Sequence, residues 1–484
     1  MRRLSEMMGT NLAHDMDIAG ITADSRAVAK GFLFAALVGT KADGRAFVPA
    51  AIAKGATAIL APEGSALDLP PGVVLITDAN PRRRFAQMAA AFHGAQPDTM
   101  VAVTGTNGKT SVASFYRQIM DALGHPAAAI GTLGIIAKGW DNAGGLTTPD
   151  PAALHESLAR LKAFGISHAC MEASSHGLDQ HRLDGVRLAA AAFTNLTWDH
   201  LDYHGDMETY AKAKQRLFTE LVGDGGTAVI NMDAEHGPRF AQAAAARGLM
   251  VMGYGKAAAE LRLIAAAAKP FGQELRLEIM GRSATVKLPL AGLFQAYNAL
   301  AALGLALASG ADAKAALAAL EKLDGVPGRL QLAAKRANGA AIYVDYAHTP
   351  DALDTVLNAL KPHATRRLVA VFGCGGDRDP GKRPLMGAVA CRLADATIIT
   401  DDNPRSEDAA AIRESVRTAC RGAIEIADRR EAIRTAVAGL QKGDLLLIAG
   451  KGHETGQIVG GAVLPFDDAE EARAAVLFAD GRLS

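Results

Sequence analysis

The chain has 484 residues, more than one hydrophobic core supports, and a prior of about 150 residues per domain predicts roughly three domains. Lysine plus arginine and aspartate plus glutamate each number 51. The net charge of +0 therefore excludes an overall electrostatic attraction to nucleic acid or to an anionic membrane. The four cysteines are scattered, no run of about 18 strongly apolar residues occurs, and the first residues lack a signal-peptide core, so we expect a reduced, cytoplasmic protein. We also expect a monomer.

Three α/β regions follow one another along the chain. Residues 1–97 alternate short apolar strands with helices, and residues 94–98 have the composition of a linker. Strands near 100–104, 166–172, 189–194 and 227–231 then alternate with helices. A hairpin around Gly281 and a turn-forming stretch at 325–329 precede the last region. We therefore predict an α/β protein with domains 1–97, 98–330 and 331–484, the middle one combining a mostly parallel sheet with a small antiparallel sheet.

The run 101–111 joins a strand of buried type to a glycine loop and then to a helix. Gly105 and Gly108 let backbone N–H groups approach an anion, Lys109 adds a positive charge, and the Thr110 hydroxyl can ligate magnesium. The run is the short form of this loop, without the additional first glycine of the longer form. A glycine turn that only caps a helix is the alternative, but the flanking strand and helix favour a loop that holds the triphosphate of ATP.

Carboxylates and histidines follow the next two predicted strands. Glu172 stands at the carboxyl end of its strand, where open α/β sheets bind ligands. The loop after the following strand concentrates Asp199, His200, Asp202 and His204, although any one of these histidines alone is more often structural. Oxygen ligands with one imidazole suit magnesium or manganese better than zinc, and we predict two magnesium ions beside bound phosphates.

The segment 210–218 has the pattern of an amphipathic helix with three cations, Lys212, Lys214 and Arg216. Composition alone favours a solvated basic face. The position of this segment soon after the loop rich in Asp and His is the one internal indication of a role at a site.

Four strand ends in the last region carry polar clusters. Asp345 and His348 follow the first of these strands, and a glycine-rich loop with Arg378 follows the second. The other two strands precede residues 401–407 and 450–454. Each cluster alone is explained by a helix-capping turn, but together they predict a second ligand cleft at one edge of a sheet.

In type and order these motifs resemble those of the Mur ligases of peptidoglycan synthesis, over essentially the whole chain. The matching segments are 104–110, 171–176, 199–202, 297–298, 345–348 and 373–384. The resemblance implies an N-terminal domain that binds a uridine nucleotide, a central P-loop ATPase and a C-terminal Rossmann-like domain. The uridine-domain motifs of the family match residues 24–26 and 39–44, and residues 402–405 are similar to the motif that selects diaminopimelate.

The resemblance also implies a role for each matching residue. The ATP-binding positions are Gly105, Thr106, Asn107, Gly108, Lys109, Thr110, Ser111, Asn298, Arg329, Asp345 and His348. The positions for the UDP-muramoyl-peptide are Ser25, Thr147, Thr148, Ser174, Gln180 and Arg182. The positions for the incoming diaminopimelate are Arg378, Asp402, Asn403, Pro404, Arg405, Gly450 and Glu454. The implied metal ligands are Thr110, Glu172, His200 and Lys214, the last as a carbamate (N6-carboxylysine) formed from carbon dioxide, and the implied catalytic residues are Lys109, Lys214, His200 and Glu172.

The activity that the resemblance implies is an ATP-dependent carbon–nitrogen ligation that forms ADP and phosphate. An acyl phosphate of UDP-N-acetylmuramoyl-L-alanyl-D-glutamate would be attacked by an amine of meso-diaminopimelate, while Arg405 holds a carboxylate that lysine lacks. The expected partners are these small molecules, with neither nucleic acid nor membrane. The alternatives are a lysine-adding Mur ligase, a ligase like folylpolyglutamate synthetase, and a binding protein that has lost catalysis.

Overall fold

The computed structural model describes residues 1–10, 15–39, 42–140 and 147–482. Thr40 and Lys41, which belong to the predicted uridine-domain motif 39–44, lie outside the described residues. The chain divides into two compact units, residues 1–259 with 301–316 and residues 260–300 with 317–484. Within the described ranges, none of the helices is long and apolar enough to span a membrane.

The first unit alternates short strands and helices. Its strands are β1 (Arg2–Arg3), β2 (Asp17–Ile18), β3 (Gly20–Thr22), β4 (Phe32–Ala35), β5 (Ala58–Pro62), β6 (Val74–Asp78), β7 (Thr99–Thr104), β8 (Ala127–Gly131), β9 (Gly134–Ala137), β10 (His168–Glu172), β11 (Leu188–Phe193), β12 (Val222–Asn231) and β13 (Met250–Gly255). Its helices are α1 (Leu4–Met8), α2 (Val48–Ala53), α3 (Pro81–His93), α4 (Lys109–Ala122), α5 (Pro151–Ala163), α6 (Ser175–Asp179), α7 (Leu201–His204), α8 (Met207–Arg216) and α9 (Gly237–Ala246).

The second unit has the same mixed character. Its strands are β14 (Leu261–Lys269), β15 (Gly272–Ile279), β16 (Arg282–Leu288), β17 (Gln331–Lys335), β18 (Ala341–Asp345), β19 (Leu368–Phe372), β20 (Ala396–Ile399), β21 (Ile424–Glu425), β22 (Leu445–Ala449), β23 (Gly456–Val459) and β24 (Ala462–Pro465). Its helices are α12 (Pro350–Leu360), α13 (Lys382–Leu393), α14 (Ala409–Arg417), α15 (Arg429–Ala438) and α16 (Asp468–Ala479). Two further helices, α10 (Leu293–Ala308) and α11 (Ala313–Leu320), contribute residues to both units.

Two sheets form the framework of the first unit. The N-terminal sheet has the order β3-β4-β5-β6, with every pair parallel. The other sheet has the order β13-β12-β11-β7-β10-β8-β9 within this unit, and only its β8–β9 pair is antiparallel. The central strands β7 and β10 are mostly buried and apolar, as expected of parallel strands that are covered on both faces. Their carboxyl ends bring the phosphate loop and Glu172 to the same sheet edge.

A six-stranded sheet of order β17-β18-β22-β19-β20-β21 organises the second unit. All neighbours in it are parallel except β17 and β18. Asp345 aligns with Ala449, and Phe372 aligns with both Ala449 and Ile399, so four adjacent strands end at one level. The prediction that four polar clusters share one sheet edge is confirmed.

Several helices begin where a capping side chain precedes a proline. The Asn80 side chain accepts a hydrogen bond from Arg83 N, and Pro81 is the first residue of α3. The same combination occurs at Asp150 before α5 and at Thr349 before α12. The side-chain oxygen satisfies an N–H group that the first helical turn leaves unpaired, and proline has no N–H group to lose there. Local sequence chemistry therefore sets where these helices begin.

The α/β class, with mainly parallel sheets and small antiparallel additions, is confirmed. The predicted hairpin around Gly281 is present as β15 and β16, and the structure adds β14 as a third antiparallel strand. The β8–β9 and β23–β24 pairs lie outside the sequence prediction, because their short strands contain too few residues for a clear alternation. The domain boundaries after residues 97 and 330 remain a prediction.

Candidate active site

The phosphate loop joins β7 to α4 through two glycines in conformations that other residues rarely adopt. Gly105 and Gly108 have φ angles of 148° and 90°, and a Cβ atom on Gly105 would overlap Thr194 Oγ1. Lys109 Nζ donates to the carbonyl oxygens of Gly105 and Thr106, at 2.9 Å each. The ammonium group therefore lies over the loop, where it can meet a bound phosphate.

The residues after β11 brace the phosphate loop, a role that the sequence prediction missed. Thr194 Oγ1 donates to the Asn107 carbonyl at 2.6 Å, and Asn195 Oδ1 accepts from Asn107 N at 2.9 Å. Thr106 Oγ1 accepts from Thr197 N at 3.0 Å. These bonds hold the loop backbone in place, which is the preorganisation that phosphate binding needs. The only signal in the sequence was the polar run that follows the strand.

Lys214, on α8, contacts the phosphate loop and is 1% exposed. Its Nζ donates to the Gly105 carbonyl at 2.8 Å. Burial lowers the pKa of the Lys214 ammonium well below its usual range, the charge of Lys109 lowers this pKa further, and the charge of Asp199 opposes both. The site therefore favours a neutral amine at this position.

The three cations of α8 have different surroundings. Lys212 is 70% exposed and forms a long ion pair with Glu208 at 3.7 Å. Arg216 is buried, and its guanidinium donates to both carboxylate oxygens of Asp184 at 2.7 Å. The interpretation of this helix as a solvated basic face is wrong for Lys214 and Arg216, because charge composition does not reveal which helix face is buried.

Glu172 ends β10 as a buried carboxylate. Its Oε1 accepts from Thr132 N at 2.9 Å, and its Oε2 accepts from Thr132 Oγ1 at 3.2 Å. A Cβ atom on Gly131 would overlap Glu172 Oε1, so the carboxylate occupies space that only glycine leaves open. Both of these hydrogen-bond donors are neutral, and a divalent cation beside this carboxylate would balance its buried charge.

Five of the six predicted peptide positions lie in one hydrogen-bond network next to Glu172. They are Thr147, Thr148, Ser174, Gln180 and Arg182. Thr148 Oγ1 donates to the Glu172 carbonyl at 3.0 Å and lies 2.9 Å from Ser174 Oγ. Arg182 donates to the Thr148 carbonyl at 2.8 Å and to Gln180 Oε1 at 2.7 Å. The network therefore gathers hydroxyl groups and one guanidinium around the carboxyl end of β10.

Ser25, the sixth predicted peptide position, belongs to the N-terminal part of the chain. Its carbonyl accepts from Lys54 Nζ at 3.0 Å. The flanking residues Asp24 and Arg26 pair at 2.8 Å, and the hydrogen bonds from Arg26 lower the pKa of Asp24 to about 2. Among the described residues, the hydrogen bonds of Ser25 do not reach the Thr148 network.

His200 is the N-cap residue just before α7 and has a left-handed conformation with φ of 54°. Its ring centroid lies 5.0 Å from that of His176, which in turn lies 4.1 Å from the ring of Tyr203. Burial lowers the pKa of His176, and the neighbouring His200 and His204 lower it further. The structure thus brings His200 to the motif that begins at Glu172.

The four predicted metal ligands come from separate elements: Thr110 from α4, Glu172 from β10, His200 from the start of α7 and Lys214 from α8. In the described parts of the chain, no group of three or more His, Cys, Asp or Glu side chains is arranged to hold a metal ion. The hydroxyl, carboxylate and imidazole donors nevertheless fit magnesium, which takes few protein ligands and completes its shell with substrate phosphates and water.

The predicted nucleotide-side positions in the second unit are Asn298, Arg329, Asp345 and His348. Asn298 Nδ2 donates to Gln295 Oε1 at 2.9 Å, and Gln295 Nε2 donates to the Arg329 carbonyl at 3.0 Å. Asp345 is buried and accepts from two backbone N–H groups, at 2.6 and 2.8 Å. Burial raises the pKa of Asp345 to about 6, although Arg329 and these two bonds oppose the shift.

An aromatic ring joins the nucleotide-side residues. The Arg329 guanidinium lies 5.0 Å from the centroid of the Tyr346 ring, and the ring of His348 lies 4.6 Å from the same centroid. The ring of His453 is also close, at 5.2 Å. Tyr346 and His453 were absent from the predicted site, although both stand next to predicted residues in the sequence. Flat aromatic and guanidinium faces of this kind suit the stacking of a base.

The predicted diaminopimelate motif follows β20 and contacts residues that follow β22, although β19 lies between these two strands in the sheet. Arg405 has φ of 53°, and its guanidinium donates to a backbone carbonyl at 2.7 Å. Asn403 Nδ2 donates to Glu454 Oε2 at 2.8 Å. A Cβ atom on Gly450 would crowd the carboxylate of Asp402. Two strand ends that are far apart in the sequence therefore form one polar pocket.

The segment 373–384 after β19 contains one exposed arginine in its glycine-rich loop and one buried arginine at the start of α13. The predicted ligand residue Arg378 is exposed, and its guanidinium donates to the Asp377 carbonyl at 3.1 Å. Arg383 is buried and donates to both oxygens of Glu407 at 2.8 Å. Glu407 also accepts from Asp377 N at 2.6 Å, so Arg383 orders the loop while Arg378 stays at its surface.

Three family models match the chain. The model described as "Mur ligase family, catalytic domain" matches residues 17–93, "Mur ligase middle domain" matches 103–306, and "Mur ligase, glutamate ligase domain" matches 328–452. These matches follow one another in order and together include most of the chain.

Individual relatives support the same family. The UDP-N-acetylmuramoyl-L-alanyl-D-glutamate--2,6-diaminopimelate ligase of Caulobacter vibrioides is 55% identical over 476 residues, which are 97% of this chain and 98% of the relative. A solved structure of a ligase with the same name has a TM-score of 0.77 at 35% identity and covers 98% of both chains. The folylpolyglutamate synthase of Mycobacterium tuberculosis, solved with ADP and AMPPCP, has a TM-score of 0.60 at 20% identity over 76% of this chain and 92% of its own, a likeness of fold alone.

Proposed function

This chain belongs to the Mur ligase family, and we propose from that premise that it is the ATP-dependent ligase that adds meso-diaminopimelate to UDP-N-acetylmuramoyl-L-alanyl-D-glutamate in peptidoglycan precursor synthesis. The observation that carries the proposal is the polar pocket formed by residues 402–405 and Glu454, in a chain that also contains the phosphate loop. The identity of 55% over nearly the full length of a relative with that name supports the choice of amino acid.

The chemistry begins with activation of a carboxylate, because an amine cannot displace oxide from it directly. The γ-carboxylate of D-glutamate attacks the γ-phosphorus of ATP, the bond to the β-phosphate oxygen breaks, and ADP leaves. Lys109 and the N–H groups of residues 108–110 stabilise the negative charge on the transferred phosphoryl group. The amine at the L-centre of diaminopimelate then adds to the carbon of the acyl phosphate. Its nitrogen loses a proton, phosphate leaves, and the amide remains.

Thr110, Glu172, His200 and a carbamate on Lys214 would hold two magnesium ions, which supply positive charge next to the phosphates. The carbamate requires a neutral amine as the nucleophile for carbon dioxide. Burial favours that form at Lys214, because it lowers the pKa of this side chain. Carbamate formation also adds an attraction to Lys109, since the product is an anion and the neutral amine is not.

The other predicted residues complete the proposal. The network of Thr148, Ser174 and Arg182 would hold the muramoyl-dipeptide beside Glu172, while Asn298 and the aromatic faces around Arg329 would hold the nucleotide. We assign the predicted domain 1–97 to the uridine nucleotide, domain 98–330 to ATP and domain 331–484 to the incoming amino acid.

We further propose that the protein is a cytoplasmic monomer. It acts without membrane or nucleic acid, since its substrates are water-soluble.

Phosphate release from ATP tests the proposal, with UDP-N-acetylmuramoyl-L-alanyl-D-glutamate present and meso-diaminopimelate compared with L-lysine. We expect kcat/KM for diaminopimelate to exceed that for lysine about 100-fold or more, because Arg405 can bind a carboxylate that lysine lacks. Arg405→Ala should lower kcat/KM for diaminopimelate about tenfold or more and narrow this ratio. Arg421→Ala, which changes an exposed arginine of the same unit, is the matched control and should behave like the wild type.

Two outcomes would overturn the proposal in different ways. Equal use of both amino acids by the wild type would overturn the choice of diaminopimelate and favour a lysine-adding ligase. Absence of any amino-acid-dependent phosphate release would overturn the ligase activity itself.

A further inference from the structure

We propose that Lys451 is a positioning residue of the diaminopimelate pocket, an inference that rests on the proposed function. Lys451 follows Gly450 at the end of β22, and its side chain is 0% exposed. Lysine is rarely this buried, because removing an ammonium group from water is costly unless polar partners replace the water. The partners of this ammonium group indicate its role.

The ammonium group of Lys451 contacts two residues of the predicted pocket. Its Nζ donates to Asn403 Oδ1 at 2.9 Å and lies 3.4 Å from Glu454 Oε2. Asn403 Nδ2 donates to the same oxygen of Glu454 at 2.8 Å. The three side chains form a closed triangle in which each contacts the other two.

The triangle fixes the orientation of the Asn403 amide. Its Oδ1 accepts from Lys451 Nζ and from Ile458 N, both at 2.9 Å. Two donors at this atom are incompatible with the flipped amide, so Nδ2 must face Glu454. Both bonds to Glu454 use Oε2, and this side chain stays 34% exposed, which leaves the carboxylate accessible to an incoming amino group.

A purely structural role is the alternative, and a nearby buried cation shows how such a role looks. Arg429 is 0% exposed and forms a complete pair with both carboxylate oxygens of Asp468, at 2.7 Å each. Lys451 has no comparable partner among the described residues, since its one carboxylate contact, Glu454, belongs to the pocket. Lys451 therefore acts through Asn403 and Glu454 and contributes no reacting atom.

Lys451→Met tests the inference, because methionine is unbranched, is only one atom shorter than lysine and carries no charge. We expect the KM for diaminopimelate to rise about 10- to 100-fold, the effect of losing a charged hydrogen bond, while the KM for ATP stays within about twofold of the wild type. Lys451→Gln keeps a donor and should recover part of the loss. Lys442→Met, which changes an exposed lysine of the same unit, is the matched control and should leave both KM values unchanged.

A double substitution separates positioning from general damage. In Asn403→Ala the amide of the triangle is gone and Lys451 keeps only its 3.4 Å contact with Glu454, so adding Lys451→Met should raise the KM for diaminopimelate by a smaller factor than it does in the wild-type background. An unchanged KM in Lys451→Met, an equal rise in the KM for ATP, or fully additive effects of the two substitutions would each overturn the inference. If the wild type itself lacks diaminopimelate-dependent phosphate release, the proposed function fails, and this inference fails with it.

Discussion

Burial changes the preferred protonation state of two titratable residues of the candidate site. At Lys214, burial and the charge of Lys109 favour the neutral amine, whereas at Asp345 burial favours the protonated carboxyl group. Each residue also lies against the backbone of a loop, since Lys214 donates to Gly105 O and Asp345 accepts from Leu330 N. The charge state of both groups is therefore set by the fold.

The proposed carbamate makes a prediction for Lys214→Ala. We expect this substitution to lower kcat for phosphate release about 100-fold or more, because the anion beside the phosphates is lost. Alanine leaves space in which acetate can replace the carbamate, so added acetate should restore part of the rate. Lys212→Ala, on the same helix but at an exposed position, should keep the wild-type rate. A fully active Lys214→Ala enzyme would contradict the carbamate proposal.

The raised pKa of Asp345 predicts a pH-dependent effect on stability. Its pKa in the folded chain is about 6, above the ordinary value of 3.8, so its stabilising contribution is complete below pH 3.8 and is lost as the pH rises through about 6. The amide introduced by Asp345→Asn carries no charge at any pH. The Tm of Asp345→Asn relative to the wild type should therefore rise between pH 5 and pH 8, by the equivalent of about 1.4 kcal/mol at most.

Thermal unfolding followed by circular dichroism at several pH values measures this difference. The exposed Asp351 offers the matched control, since the Tm difference for Asp351→Asn should not depend on pH over the same range. A constant Tm difference for Asp345→Asn would show that the carboxyl group does not titrate near pH 6.

At the level of elements, the hairpin β23–β24 supports the diaminopimelate motif through its backbone. Arg405 N donates to Ile458 O at 3.0 Å, and Gly460 N donates to Arg405 O at 2.7 Å. Gln457 Nε2 donates to the Asp402 carbonyl at 2.7 Å. The left-handed conformation of Arg405 is unfavourable for a residue with a Cβ atom, and these bonds offset its cost. An element that the sequence analysis missed thus orients the arginine proposed to select the amino acid.

Ile458→Pro tests this support, because proline removes the N–H group that donates to Asn403 Oδ1 and disturbs the strand. We expect the ratio of kcat/KM for diaminopimelate to that for lysine to fall about tenfold or more, while the KM for ATP stays near the wild-type value. Ile458→Val keeps the N–H group and should retain the selectivity. Unchanged selectivity in the proline variant would mean that Arg405 keeps its orientation without the hairpin.

The sequence predicted those parts of the site that depend on local chemistry. The strand, glycine loop and helix around Lys109 were readable because adjacent residues produce them. The brace formed by Thr194 and Asn195 was not readable, because their contacts with Asn107 join residues more than 80 positions apart. Composition likewise predicted the wrong environment for Lys214, because the burial of this side chain depends on the packing of α8 against the phosphate loop. Only the family resemblance pointed to its role.

At the level of the whole molecule, the two proposed chemical steps use residues of different units. Lys109 and Glu172, assigned to phosphoryl transfer, belong to the first unit. Arg405 and Glu454, assigned to the incoming amino acid, belong to the second. Formation of the acyl phosphate requires ATP and the dipeptide nucleotide but no amino acid, so the two steps should be separable by substitution.

A single-turnover experiment with ATP and UDP-N-acetylmuramoyl-L-alanyl-D-glutamate, before diaminopimelate is added, measures this separation. Arg405→Ala should form ADP at nearly the wild-type rate and then form the amide slowly once diaminopimelate is present. Lys109→Ala should lower the rate of ADP formation about 100-fold or more, since the ammonium group that stabilises the charge of the transferred phosphoryl group is removed. Arg421→Ala should match the wild type in both steps. If Arg405→Ala loses ADP formation as fully as Lys109→Ala does, carboxylate activation depends on the amino-acid pocket, and the steps are not divided between the units.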